Sequence, residues 1–412
     1  MEISMSGLLF ALSFALDSVE GELVGATTYH SKRVSYMSAM VGRRFGLSDQ
    51  ELVDLTCAAA LHDNALTEYI ASEYQAGKDI RSNLDLFELG PHCSLGERNI
   101  SEMPFYERVK DVILYHHENA DGTGPFNIRA ADTPYFAQII HLTDIVDVAN
   151  NLGDLTPEKY RKVTEMLENT RGKLFTPEVV DAFRDVFDYE KLSEMHGPSV
   201  EVLLHQVVPE QLREYSGEEL HGLATIFARI TDYKSEFTSK HSQGIAQKAQ
   251  DMAHYYRLGE SMESKLYLTG ALHDIGKLVI DNDVLEKPDK LTKAEFVYMK
   301  NHAWYSYQIL NQIKGLEDIC RWASLHHEKL DGSGYPFGKK DFELNGLERL
   351  MACIDIYQAL TEDRPYKQGF SHEHTLGIMR EMATTGKIDA LIVEDIDDRF
   401  GPNQHLVGTR NL

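Results

Sequence analysis

Histidine and aspartate residues recur in the second half of this chain at spacings that suit metal binding. Seven of them form a series: His241, His273, Asp274, His302, His326, His327 and Asp355. Imidazole and carboxylate groups without a thiolate favour Mn, Fe, Ni, Co or Zn over Ca or Mg. One catalytic ion, which must keep a position open for water, cannot use so many ligands. Two ions that share a carboxylate can use this number of ligands, and two-metal sites of this kind catalyse the hydrolysis of phosphate esters.

The first half repeats this series. Its members are His30, His62, Asp63, His92, His116, His117 and Asp144. Each stands 210 or 211 positions before its counterpart, which indicates an internal duplication. A single histidine on an apolar helix face is more often a hydrogen-bonded core residue than a ligand. Unrelated core residues would not repeat at one offset in both halves, however, so the joint pattern favours metal ligands.

Helices must position these side chains, because apolar residues recur at i, i+3, i+4 and i+7 along most of the chain. The sequence predicts an all-α fold in which the duplication gives two tandem bundles of six to eight helices each. The segments 121–126 (DGTGPF) and 331–338 (DGSGYPFG) are predicted loops, since alternating glycines and a proline break either regular period. Gly276 is expected to stop the helix that ends with His273 and Asp274.

These patterns also predict the domain boundaries. Residues 1–208 form the first predicted domain, 209–230 a connecting helix and 231–412 the second domain. The connecting segment begins with Pro209, which a helix accepts at its start, and carries charges at helical spacing. We therefore expect a helical connection rather than a flexible linker.

Composition limits the class of partner. The chain has 412 residues, with 41 Lys and Arg against 65 Asp and Glu, and a formal net charge of −24. This charge would repel a phosphate backbone, so we expect no DNA or RNA partner. Four cysteines without a CxxC pair predict reduced thiols and a cytoplasmic protein. The apolar N-terminal stretch is too short to span a membrane and lacks the basic start of a signal peptide, so no membrane partner is expected.

Several motifs of the second half, HDIGK, KNH, HHEKLDGSGYP and RPYK, resemble those of the HD-GYP phosphodiesterases. These enzymes are a bacterial branch of the HD-domain metallohydrolases and open cyclic dinucleotide signals. The resemblance covers residues 237–400 and implies that the seven residues of the second series are metal ligands, with Asp274 bridging two ions. It also implies that Lys277, Arg364 and Lys367 hold phosphate oxygens, and that Lys277 neutralises charge in the transition state.

The resemblance implies two divalent transition-metal ions, Mn, Fe, Ni or Co, as cofactors and linear dinucleotides with a 5′-phosphate as products. Tyr335, Phe337 and Tyr366 are candidates to contact the nucleobases, or else they only shape the loop. Two positions depart from the family pattern. Gln358 replaces a frequent aspartate, and Phe237 stands where members with a third ion have a glutamate. We therefore expect a two-metal centre.

The first half keeps its seven candidate ligands and is a second candidate metal site, but it lacks the residues that would contact substrate. Leu66 stands in place of Lys277, GYP becomes Gly124-Pro125-Phe126, and no RPYK motif follows. Without cations, such a pocket would hold a phosphodiester poorly. We expect a regulatory or structural domain there rather than a second catalytic domain.

One degenerate and one intact domain in tandem resemble the bacterial phosphodiesterases that act on 3′3′-cyclic GMP-AMP. That molecule is therefore the first expected substrate, and cyclic di-GMP is the second. Two alternatives stay open: an HD-type phosphohydrolase acting on other nucleotides, and a non-catalytic signalling module. The sequence also leaves open a homodimer or a signalling partner. We expect Trp304, Trp322 and Met351 to be core residues.

Overall fold

A computed structural model describes most of the chain. The described residues are 1–8, 10, 11, 13, 16, 17, 29–78, 88–107, 109–234, 241–285, 287, 289–363, 368–402, 405–410 and 412. Phe237, Arg364, Tyr366 and Lys367, which the sequence singled out, lie outside the described residues.

The chain divides into two compact units. One unit comprises Ser4–Leu212, and the other comprises Arg213–Leu412 together with Met1–Ile3. The all-α prediction is confirmed, since helices form both units. The only strands among the described residues are β1 (Glu2–Ser4) and β2 (Leu212–Glu214), which pair in one small sheet.

Described helical residues of the N-terminal unit lie at 5–8, 10, 11, 13, 16 and 17, and nine further α-helices have both ends among its described residues. They are α1 (His30–Arg44), α2 (Asp49–Ala60), α3 (Leu66–Gln75), α4 (Leu89–Asn99), α5 (Tyr135–Asn150), α6 (Pro157–Thr170), α7 (Pro177–Val186), α8 (Tyr189–Ser193) and α9 (Ser199–Val207). Short 3₁₀ helices lie at Ile100–Glu102, Ala130–Asp132 and Leu152–Asp154. The count exceeds the six to eight that we predicted, because helices as short as α8 leave no periodic signal in a sequence.

The C-terminal unit contains ten α-helices among its described residues. They are α10 (Gly217–Tyr233), α11 (His241–Tyr255), α12 (Glu260–Leu272), α13 (Asn282–Leu285), α14 (Lys293–Met299), α15 (Asn301–Leu310), α16 (Glu317–Ser324), α17 (Gly346–Thr361), α18 (His372–Thr384) and α19 (Ala390–Phe400). Short 3₁₀ helices lie at Ile275–Val279 and Asp341–Glu343. Where a connecting helix was predicted over 209–230, the chain forms β2 and then α10, which Ser216 begins with a capping box.

Gly276 does not stop a helix, so that prediction is wrong. Helix α12 already ends at Leu272, and Gly276 lies inside the following 3₁₀ helix. A Cβ atom at this position would lie 2.0 Å from the carbonyl oxygen of His302. Glycine is needed here because the backbone passes directly against α15, and this contact brings two ligand-bearing segments together.

The predicted loops at 121–126 and 331–338 contain no helix or strand, as expected. Trp322 and Met351 are core residues, also as expected. Trp304 is not: its side chain is 41% exposed, because it points outward from α15. No helix among the described residues is both long and apolar enough to cross a bilayer.

Candidate metal centres

The seven side chains of the second series converge in the C-terminal unit, and most of them come from the ends of helices. Their positions are the first residue of α11 (His241), the turn after α12 (His273, Asp274), the second residue of α15 (His302), the turn after α16 (His326, His327) and the interior of α17 (Asp355). All are buried except His327, which is partly exposed. Helix ends separated along the chain thus place their imidazoles and carboxylates in one buried cluster.

Asp274 lies at the middle of this cluster. Its Oδ1 atom is 3.4 Å from Nε2 of His302 and 3.7 Å from Nε2 of His326. Its Oδ2 atom is 3.1 Å from Nε2 of His273 and 3.8 Å from Nε2 of His241. Each carboxylate oxygen of Asp274 therefore faces a different pair of imidazoles.

Asp355 faces both sides of the same cluster. Its Oδ1 atom is 3.5 Å from Nε2 of His241, and its Oδ2 atom is 3.6 Å from Nδ1 of His327. Potential ligand atoms within 4.8 Å of one another form three overlapping groups here: His241 with His273 and Asp355, His302 with His326 and His327, and His273 with Asp274 and His326. The cluster thus offers closely spaced ligand atoms for metal binding.

Hydrogen bonds orient the imidazoles toward these sites. The Nδ1–H groups of His273 and His302 donate to the carbonyl oxygens of Gly270 (2.7 Å) and Met299 (2.6 Å). His326 donates in the same way to Ala323. These bonds fix the tautomer and leave each Nε2 lone pair free to bind a metal.

The Nε2 atoms of His273, His302 and His326 and the Oδ1 atom of Asp274 are buried and have no hydrogen-bond partner among the described residues. Buried polar atoms without partners are unfavourable in a folded protein and call for an explanation. A metal ion bound among them would supply it. The donor set of imidazoles and carboxylates therefore fits divalent transition metals.

The electrostatics also suit cation binding. Burial would raise the pKa of Asp274, but the charges of His273 and Lys277 hold it well below its usual range. Burial lowers the pKa of His326 to about 3 and that of His302 to a lesser degree. At neutral pH these groups are thus a carboxylate and neutral imidazoles, the states in which both bind metals.

His241 has a carboxylate partner that sequence reasoning missed. Its Nδ1–H donates to Oε2 of Glu362 at 2.8 Å. Burial alone would lower the pKa of His241, but hydrogen bonds with Asp355 and Glu362 raise it to about 9. Glu362 directly follows α17, one turn beyond Gln358. The sequence did contain one indication of this partner, because Glu362 stands one helical turn after Gln358, the residue that departs from the family pattern.

Lys277 and the loop after α16, which carries Tyr335, lie beside the cluster. The Nζ atom of Lys277 forms an ion pair with Oδ2 of Asp274. The Tyr335 ring lies 4.7 Å from the His327 ring and 6.2 Å from the His302 ring, and the Nζ atom of Lys300 lies 5.1 Å from its centroid. One cationic side chain, Lys277, and one aromatic side chain, Tyr335, therefore lie directly beside predicted metal ligands.

Glu328, the acidic residue of the HHE motif, holds this loop in place. Its carboxylate accepts hydrogen bonds from the backbone N–H groups of Phe337 (2.7 Å), Gly338 (3.1 Å) and Lys339 (2.9 Å). The backbone of Gly334 lies against the backbone of Lys329, and a Cβ atom at position 334 would be only 2.4 Å from the Lys329 nitrogen. The sequence indicated the motif, but the role of its glutamate appears only in the fold.

The N-terminal unit brings its own series together in the same way. Oδ1 of Asp63 is 3.4 Å from Nε2 of His92 and 3.8 Å from Nε2 of His116, and its Oδ2 is 3.4 Å from Nε2 of His62. His30 and His117 approach the second carboxylate, Asp144, at 3.4 Å and 3.8 Å. All seven predicted residues of this half thus lie in one cluster.

Two features distinguish this N-terminal cluster. His30 donates from Nδ1 to Oδ2 of Asp147 at 2.7 Å, and Arg33 also binds this carboxylate. In addition, Cys93 lies with His92, His116 and His117 in one potential ligand group, although sequence reasoning assigned no thiol to either centre. The only indication in the sequence that Cys93 belongs to this cluster was its position directly after His92.

Comparisons with known proteins agree with this architecture. The HD domain family matches residues 22–179 and again 225–392. The chain is 30% identical to the 3′3′-cGAMP-specific phosphodiesterase 1 of Vibrio cholerae over 404 residues, which cover 96% of this chain and 91% of the relative. It is 35% identical to a cyclic di-GMP phosphodiesterase of Pseudomonas aeruginosa over 150 residues, which cover 35% and 36% of the two chains.

A solved structure has the same fold over nearly the whole length. It is the crystal structure of a cyclic GMP-AMP specific phosphodiesterase of Vibrio cholerae, with a TM-score of 0.65 and 23% sequence identity. The alignment covers 98% of this chain and 99% of that one. Because one family matches both halves of the sequence, the predicted duplication is confirmed. The chain belongs to the HD domain family and contains one HD domain in each repeat.

Proposed function

We propose that this chain is a metal-dependent cyclic dinucleotide phosphodiesterase whose active site is the C-terminal metal centre. The observation that carries the proposal is the position of Asp274, whose two oxygens face two groups of histidines beside the cation of Lys277. We propose 3′3′-cyclic GMP-AMP as the substrate. This choice is supported by the similarity over 96% of the chain to an enzyme named for that substrate.

The C-terminal residues would hold two divalent transition-metal ions, with Mn, Fe, Ni and Co as the candidates. One group would be His241, His273 and Asp355, the other His302, His326 and His327, with Asp274 between them. When bound, such ions lower the pKa of water and polarise a phosphoryl oxygen. The Nδ1–H groups of His273, His302 and His326 donate hydrogen bonds to backbone carbonyl oxygens, which orients these imidazoles for this task.

Lys277 is placed to meet the phosphate that approaches this centre. Its side chain is 19% exposed, whereas that of Asp274 is 4% exposed, so the lysine lies between the buried carboxylate and solvent. A positive charge at this point would stabilise the negative charge that develops on the phosphoryl oxygens in the transition state. Arg364 and Lys367 are proposed to hold the same phosphate, on the resemblance of RPYK to the family motif.

An aromatic surface beside the centre is a candidate platform for a nucleobase. The Phe337 ring lies 5.2 Å from the Tyr307 ring and 5.7 Å from the Trp304 ring. Phe337 and Trp304 are 42% and 41% exposed, so their faces are accessible to a ligand. Stacking of one base on such a surface contributes about 1–3 kcal/mol to binding. Tyr335 borders the metal ligands and would contact the sugar or base nearest the reacting phosphate.

The N-terminal unit would support or regulate this reaction rather than perform it. Its counterpart of Lys277 is Leu66, which is buried and carries no charge. At that cluster, no cation at this position would neutralise the negative charge that develops on a phosphodiester in the transition state. The full-length similarity to a relative of nearly the same extent supports a role for both units in one enzyme.

The decisive experiment measures hydrolysis by the full chain reconstituted with Mn(II) or Fe(II). 3′3′-cyclic GMP-AMP, cyclic di-GMP and a guanosine alarmone would be offered separately, and the products separated by chromatography. We expect a linear dinucleotide with a 5′-phosphate, formed fastest from 3′3′-cyclic GMP-AMP. Hydrolysis of the alarmone alone, or of nothing, would contradict the proposal.

A matched pair of variants locates the active centre. Asp274→Ala should abolish hydrolysis, because it removes the carboxylate that faces both groups of histidines. Asp63→Ala removes the equivalent carboxylate of the N-terminal unit and should leave measurable turnover. Retained turnover in Asp274→Ala would show that the active centre lies elsewhere.

A further inference from the structure

One of the differences between the metal-ligand clusters of the two repeats is a thiol. Cys93 follows His92 in α4, and the equivalent residue after His302 in α15 is Ala303. Both side chains are fully buried. The C-terminal group of three imidazoles therefore has a methyl group where the N-terminal group has a thiol.

This thiol lies within reach of a shared ion. The Sγ atom of Cys93 is 3.7 Å from Nε2 of His92, and the ligand atoms of the whole group lie within 4.8 Å of one another. The Nε2 atom of His116 is buried without a hydrogen-bond partner among the described residues. Its Nδ1–H donates to the carbonyl oxygen of Ile113 at 2.6 Å, so the Nε2 lone pair faces the group.

The surroundings of this group favour a closed site. The His117 side chain is 10% exposed, against 27% for its counterpart His327. Three imidazoles and a thiolate complete the tetrahedral shell of a structural zinc ion, whereas a catalytic zinc keeps one position for water. The extra ligand thus occupies coordination space that the C-terminal repeat leaves open.

We infer that the N-terminal unit contains a closed, thiolate-containing site for Zn(II), formed by His92, Cys93, His116 and His117. Such an ion would stabilise the N-terminal unit and would not hydrolyse substrate. A thiolate also favours this ion over Mn(II), for which imidazole and carboxylate ligands are better suited. The two units would therefore select different metals. This inference does not depend on the phosphodiesterase activity.

Cobalt provides the test, because Co(II) bound to a thiolate has a sulfur-to-metal charge-transfer absorption in the near ultraviolet. The full chain would be stripped with a chelator and titrated with Co(II). We expect this absorption, together with the intense visible bands of a tetrahedral site, and we expect Zn(II) to displace both. The chain has four cysteines, and only Cys93 belongs to a potential ligand group among the described residues. A wild-type chain without this absorption would overturn the inference.

Two substitutions assign the absorption to its ligand. Cys93→Ala installs the residue that the second repeat has at this position and should remove the charge-transfer band. It should also weaken Zn(II) binding to the N-terminal unit by about tenfold or more. Cys57→Ala removes a buried thiol from α2 of the same unit and should keep the band.

If Cys93→Ala does not fold, Cys93→Ser keeps the side-chain volume and should lose the band as well. A charge-transfer band that survives in either Cys93 variant would overturn the inference. Loss of hydrolysis by the wild-type chain would not affect this result, since the absorption reports metal binding alone.

Discussion

Lys277 and Leu66 are the pair of residues that most clearly separates the two centres. We expect Lys277→Leu, which installs the N-terminal residue in the C-terminal site, to lower kcat by about 10²–10³-fold. The reason is the loss of a cation beside the developing phosphoryl charge. Steady-state kinetics with metal analysis would check this, since the metal content should not change.

Lys293→Leu removes an exposed lysine from α14 and is the control for the loss of one positive charge. It should have wild-type kcat. If Lys277→Leu also has wild-type kcat, the lysine does not act on the transition state. If the Lys277→Leu variant loses its metal, the role of Lys277 is instead to hold the metal ligands in position.

Glu362 is expected to act through His241 rather than on the substrate. It accepts the Nδ1–H hydrogen bond at 2.8 Å, so Glu362→Ala would free the imidazole to rotate away from Asp355. Loss of such a partner lowers metal affinity by about 10–100-fold. Calorimetric titration of the stripped chain with Mn(II) would measure this change, and excess Mn(II) should restore kcat.

Glu362→Asp keeps the carboxylate and should recover part of the affinity. Glu373→Ala, an exposed acidic residue at the start of α18, is the control for charge. Unchanged Mn(II) affinity in Glu362→Ala would show that His241 is oriented without this partner. A lowered kcat that excess Mn(II) cannot restore would place Glu362 in contact with the substrate instead.

Among the structural elements, the loop after α16 depends on a single carboxylate. Glu328→Ala would leave three backbone N–H groups of this loop without their acceptor, and each lost charge-assisted bond contributes about 1.5–3 kcal/mol. We expect the loop that carries Tyr335 and Phe337 to lose its fixed position. KM for the dinucleotide should rise at least tenfold, as initial rates would show.

The N-terminal unit supplies the matched control for this loop. Glu118 accepts hydrogen bonds from the N–H groups of Phe126 (2.5 Å) and Ile128 (2.8 Å) in the equivalent loop. Glu118→Ala should therefore perturb a similar loop and leave KM near the wild-type value. An equal rise of KM in both variants would indicate a general loss of stability instead of a local effect on the active site.

The sequence predicts the elements better than their contacts. Helical periodicity and the repeated His and Asp series indicate both bundles and both clusters, because these features recur locally and at a fixed offset. The partners Glu362 and Cys93 were missed, since their roles arise only where separate helices meet. Trp304 was assigned to the core from its residue type alone, but residue type does not distinguish a buried tryptophan from an exposed one.

At the scale of the whole molecule, the first three residues belong to the C-terminal unit although they precede the N-terminal one. Ile3 is fully buried, and the N–H group of Tyr215 donates to the carbonyl oxygen of Met1 at 2.8 Å. Periodicity could not predict this arrangement, because the contact joins segments more than 200 residues apart. A fragment that begins at residue 213 would therefore lack part of its own unit.

Gly315 tests this arrangement in the full chain. It has a φ of +90°, and a Cβ atom there would lie 2.0 Å from the carbonyl oxygen of Glu2. Gly315→Ala should therefore displace the N-terminal segment and lower the free energy of unfolding of the C-terminal unit by about 1–3 kcal/mol. Denaturant titration followed by tryptophan fluorescence would measure this, because Trp304 and Trp322, the two tryptophans of the chain, both lie in that unit.

Gly377 in α18 provides the control, because a Cβ atom there meets nothing within 4 Å. Gly377→Ala should leave the free energy of unfolding unchanged or raise it by up to about 1 kcal/mol, since alanine favours the helix. If Gly315→Ala unfolds at the same denaturant concentration as the wild-type chain, residues 1–3 do not pack against Gly315 in solution. A shift in Gly315→Ala alone would mean that the C-terminal unit is complete only when the start of the chain is present.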